Sequence, residues 1–96
     1  MIEMEKKLID DRKKLLEQWF AKDFESVTIN KEKCFRMPTG GIFVVSKILS
    51  FNALVIEYAE NMNAAINNDF EDGNLFYMVE YDEKDMYTKM LQEIAT

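Results

Sequence analysis

From Ile42 to Glu60 the chain reads IFVVSKILSFNALVIEYAE, its most apolar and β-branched stretch. Ile42, Val44, Ser46 and Ile48 alternate with Phe43, Val45, Lys47 and Leu49, and both sets are largely apolar. That is the pattern of a central strand covered on two sides. Ser50-Phe51-Asn52 interrupts it with turn-tolerant residues. Ala53 to Ala59 then predicts a second strand, with Leu54, Ile56 and Tyr58 on one face. A helical period also fits: Leu54, Val55, Tyr58, Ala59, Met62, Ala65 and Ile66 would share a helix face. Val-Ile-Glu-Tyr is poor helix material and Asn61 offers a fresh N-cap, so a strand followed by a short helix is preferred to one helix over 52–68.

On either side the period changes to that of helices. Over 3–23, Met4, Leu8, Leu15, Leu16 and Trp19 recur at helical spacing, with Glu3, Lys6, Asp10, Lys14 and Glu17 facing out. Arg12 falls inside that stripe, where a long basic stem covers apolar surface or pairs with Glu5 or an acidic loop. Phe24 to Ile29 predicts a short strand, Asn30 to Lys33 a turn, and Cys34 to Met37 the return strand of a hairpin. Pro38-Thr39-Gly40-Gly41 is turn chemistry leading into the central strand. Asn61 to Asn68 predicts a short helix with Met62, Ala65 and Ile66 inward and a left-handed cap at Asn67-Asn68. Asp69 to Asn74 predicts a loop and Leu75 to Tyr81 a strand. Asp82 caps a final helix with Asp85 in its acidic first turn and a buried stripe of Met86, Tyr87, Met90, Leu91 and Ile94.

These elements predict one α+β domain over residues 1–96. It has a small, mostly antiparallel sheet of about four to five strands, with the N-terminal and C-terminal helices packed on it. Hydrophobic residues make up 48% of the chain, enough for a core without covalent staples. The single cysteine, Cys34, allows no intramolecular disulfide and points to a reducing, cytoplasmic setting. No stretch is long and apolar enough to predict a membrane span.

Charge is distributed unevenly. The net charge is −6, and residues 1–36 carry +1 while 37–96 carry −7. Basic side chains that would neutralise phosphates are scarce beyond Arg36, which argues against a nucleic-acid partner. The imbalance points instead to a basic protein partner met by the C-terminal half.

Available chemistry is narrow. The chain has no histidine, which removes Ser-His and Cys-His pairs and most zinc sites. Cys34, in a predicted strand with no partner base, reads as a small buried hydrophobe. Asp69, Glu71 and Gly73 do not match the spacing of a calcium loop. Lys47, inside an apolar strand, reads as a strand-edge lysine that snorkels out. The expectation is a protein that is not an enzyme and needs no cofactor or metal.

Val55-Ile56-Glu57-Tyr58-Ala59-Glu60-Asn61, the Ala-containing helix after it, Phe70-Glu71-Asp72-Gly73 and the acidic-capped last helix together resemble small bacterial proteins of the toxin-immunity kind. The resemblance covers residues 52–96. It implies a cytosolic α+β domain that binds and blocks a toxin's active surface. A homo-oligomeric structural or regulatory module, such as a homodimer, is the alternative.

The candidate partner-binding surface is the segment from Asp69 to Asp85. Asp69, Glu71, Asp72, Glu80, Asp82 and Glu83 would supply charge, and Phe70, Tyr77 and Tyr81 aromatic anchors. Lys84 is its only internal counter-charge, and a turn-rich loop, a strand end and a helix start would bring these groups to one edge.

Overall fold

A computed structural model describes residues 3–96. The element order is α1 (Glu3–Asp23), β1 (Glu25–Ile29), β2 (Glu32–Arg36), β3 (Ile42–Ile48), a 3-10 turn at Leu49–Phe51, β4 (Ala53–Ala59), α2 (Met62–Ile66), β5 (Glu71–Tyr77) and α3 (Glu83–Ile94). The five strands form one antiparallel sheet in the order β1-β2-β3-β4-β5, so every strand pairs with its neighbour in sequence. This is the expected α+β fold, with α1 and α3 against one face of the sheet.

The two-sided apolar pattern of the central strands is explained by what covers each face. Phe43, Val45, Leu54, Ile56, Phe35 and Phe76 meet Ile9, Leu16 and Phe20 of α1 and Met86 and Met90 of α3. Phe20 centres this layer, with ring centroids 4.8 Å from Tyr87, 5.1 Å from Phe43 and 5.7 Å from Phe35. On the opposite face Ile42, Val44 and Ala59 pack with Ile29, Cys34 and Ala65 of the short helix α2. β4 is a strand along its whole predicted length, which excludes a continuous helix over 52–68.

Local capping follows the sequence closely. Asn61 Oδ1 accepts from the Ala64 amide at 2.9 Å and Asp82 Oδ1 from the Asp85 amide at 2.8 Å. Each satisfies an otherwise orphaned donor at a helix start. Asn68 takes a left-handed φ of 58° past the end of α2, and Asn52 one of 48° after the 3-10 turn.

Five expectations are corrected. The buried seam of α1 is Ile9, Leu16 and Phe20, with Glu17 also buried and paired with Lys13 instead of facing out, whereas Met4 and Leu8 are 71% and 57% exposed. The β1–β2 turn is two residues long, Asn30 and Lys31 at φ 52° and 69°, so β2 begins at Glu32 and not at Cys34. Ile66 points outward at 53% exposure, because the single-turn α2 buries only Ala65. Lys47 lies on an inner strand, β3, and is tied to Asp10 of α1 at 2.5 Å. The last strand runs from Glu71 to Tyr77 and not from Leu75 to Tyr81, and the predicted loop residues Glu71 to Asn74 are its first half. They stay in the ladder through a bulge: Val55 pairs with Leu75 and Glu57 with Asp72, leaving Gly73 and Asn74 opposite Ile56.

Candidate functional site

The expected partner surface does not form one edge. β5 separates its two ends by its own length, about 20 Å for seven extended residues. Asp69, Glu71 and Asp72 are exposed where β5 begins, and Phe70 is half-buried against the α2 side of the sheet. Glu80, Asp82 and Glu83 lie past the other end of β5, beyond the half-buried Tyr77. There Tyr81 packs into the main core beside Phe76, and Asp82 is spent on capping α3. Glu83 faces Arg12 Nη2 at 3.6 Å, so Lys84 is not the only counter-charge of this segment. Arg12 Nη1 also donates to the Tyr81 carbonyl at 3.0 Å, which makes it the half-buried tie between α1 and an acidic turn.

At the Asp69 end the strand packing builds a concave surface. The tight turn after β2 is closed by the Met37 amide on the Gly41 carbonyl at 2.8 Å, which sets Met37 against the end of β4. A Cβ at Gly41 would lie 3.3 Å from the Ala59 carbonyl oxygen and 3.4 Å from Met37 Sδ, so glycine permits the close approach. One hollow of about 430 Å³ is lined by Met37, Tyr58, Glu60, Asp69 and Glu71 among others. A second, of about 480 Å³, shares Met37, Tyr58 and Glu71 with it and continues along Asp72, Gly73, Asn74, Glu93 and Ile94. Together they form a trough with a floor of Met37 and Tyr58 and carboxylates along its length.

No family model, curated protein or solved structure matches this chain. The reading of the trough therefore rests on its own chemistry.

Among the described residues five carboxylates line it, those of Glu60, Asp69, Glu71, Asp72 and Glu93, and no lysine or arginine does. Among the described residues no three of them come close enough to share a metal ion. Such spacing fits an extended cationic surface better than a point charge. Glu93 is already engaged: Oε2 accepts from the Tyr58 hydroxyl at 2.5 Å and Oε1 from the Asn74 amide at 2.8 Å. Burial, and then the Glu93 carboxylate, push the Tyr58 phenol far above its ordinary range, so it presents a neutral ring.

Three of the nine expected site residues, Asp69, Glu71 and Asp72, thus share the trough. Met37, Tyr58, Glu60 and Glu93 join them unforeseen. Glu93 carried a readable signal, because a carboxylate in the last turn of a helix opposes the helix dipole and needs donors elsewhere. The Cys34 thiol, pushed up by burial, is an inert core group.

Proposed function

We propose that this protein is a non-catalytic, cytoplasmic protein-binding domain that holds a basic segment of a partner protein in the acidic trough. The observation that carries the reading is the lining of five carboxylates without a lysine or arginine. Lysine or arginine stems of the partner would lie along Met37 and the Tyr58 ring while their charged heads meet Asp69, Glu71 and Asp72. An inhibitor that blocks a basic toxin is the most concrete form of this function, and the resemblance of residues 52–96 to immunity proteins supports it.

The test begins with a photo-cross-linking residue at Thr39, on the rim of the first hollow, to capture the partner in cells. The purified partner is then mixed with the parent and with Glu71→Gln/Asp72→Asn at low and high salt. Association several-fold slower, with a shallower salt dependence, is the expected result. An unchanged rate and salt slope in a variant that melts like the parent overturns the trough as the interface.

A further inference from the structure

The first turns of α1 lack the cover that the rest of the helix has. Residues 3–8 are all exposed, and the first buried position is Ile9. Met4 and Leu8, one turn apart on one face, are 71% and 57% exposed, and Leu15 continues their line. Beside it a groove of about 280 Å³ runs between Leu8 and Leu15 on one wall and Met78 and Val79 on the other. Val79 at the lip is 87% exposed. An apolar stripe next to an apolar groove is the surface a helix packs against.

The charges beside the stripe say which helix. Glu5 and Arg12 flank Leu8 on one side, and Lys7 and Asp11 on the other. When this stretch is laid antiparallel on a second copy of itself, with the axis just past Leu8, Lys7 of each copy meets Asp11 of the other, while Arg12 stays on its own Tyr81 carbonyl and Glu83. The Lys7–Asp11 flank is therefore complementary to itself. Among the described residues neither Lys7 nor Asp11 is held in an ion pair.

We infer that two copies of the chain pair through α1, antiparallel, with Met4 of each copy seated in the groove beside Val79 of the other. Leu8 lies next to the axis and the Lys7–Asp11 contacts fix the direction. A contact made through a few turns of one helix is small beside the roughly 800 Å² per partner of a standard stable interface, so a concentration-dependent dimer is expected.

Sedimentation equilibrium over a wide concentration range tests this. The parent mass rises towards that of a dimer, and Leu8→Asp, which places like charges beside the axis, stays monomeric while melting like the parent. Lys7→Glu and Asp11→Lys are each monomeric alone, because each sets like charges across the pair. An equimolar mixture of the two regains the dimer, since each supplies the charge that the other lacks. A parent that remains monomeric, a Leu8→Asp variant that still dimerises, or a mixture that stays monomeric overturns the inference. None of these outcomes bears on the trough, which lies at the other end of β5.

Discussion

The hydroxyl of Tyr58 donates to Glu93 Oε2 at 2.5 Å, joining β4 to the last turn of α3. The same carboxylate accepts from the Asn74 amide through its other oxygen, so one side chain pins both the helix end and the bulge in β5. Gly73 makes room for it, because a Cβ there would lie 2.4 Å from Oε2 and 3.0 Å from the Ile56 carbonyl oxygen.

Gly73→Ala should therefore destabilise the fold by about 1–3 kcal/mol, the usual cost of overpacking. In a Glu93→Ala background the same change should cost less, since only the Ile56 carbonyl remains in the way. A double-mutant cycle in urea measures the coupling. Strict additivity would mean that Glu93 does not occupy the bulge.

Alkaline pH should weaken the protein through two tyrosines. Burial raises the Tyr58 phenol, and the Glu93 carboxylate raises it further. Burial and then Asp23 push Tyr87 up to about 12. Both stay protonated in the folded chain where the unfolded chain, titrating near 10.0, has already released its protons. Stability is full below pH 10 and falls as pH rises above it, with the Tyr87 share exhausted near pH 12. Urea midpoints followed between pH 8 and 12 should show this slope, and Tyr58→Phe should flatten it.

Arg12 is expected to matter more than its partner. Arg12→Gln removes the donor to the Tyr81 carbonyl and the charge facing Glu83, with an expected loss of about 1–2 kcal/mol. Glu83→Gln removes only a contact at an exposed carboxylate, for which a loss of less than about 1 kcal/mol is expected. Equal losses in chemical denaturation would place the stabilisation in the ion pair and not in the carbonyl contact.

The β1–β2 turn holds Lys31 at φ 69°, a left-handed conformation that costs a side chain about 1 kcal/mol. Asn-Gly is the preferred pair for such two-residue turns. Lys31→Gly should thus raise stability by about 0.5–1 kcal/mol in thermal or urea melts, the opposite sign to most glycine substitutions.

Much of the fold was legible from local signals. β4 and the caps at Asn61 and Asp82 follow from β-branched content and short polar side chains acting within three residues. The phase of α1 was not legible. Met4, Leu8 and Leu15 form one apolar line and Ile9, Leu16 and Phe20 another, and the sheet residues and α3 methionines that meet the second line decide which is buried. The start of β5 was hidden because Asp72-Gly73-Asn74 is turn sequence on its own, and it becomes strand through Glu93, 19 residues on from Asn74 in the chain. The trough was half legible. Its acidic residues stand out in composition, but Met37 and Tyr58 reach it only through the pairing of β2, β3 and β4.

A sheet whose strands all pair with their sequence neighbours can zip from any hairpin, with short loops to close at each step. The helices obey a different clock. Ile9, Leu16 and Phe20 precede every strand, yet their cover includes Met86 and Met90 near the far end of the chain. During synthesis the α1 seam can therefore meet the sheet but stays open on its α3 side until α3 has left the ribosome, and the Arg12 contact to Tyr81 closes late. Chains halted before α3 should be the sticky ones, prone to aggregation or to capture by chaperones, although their meander is already complete.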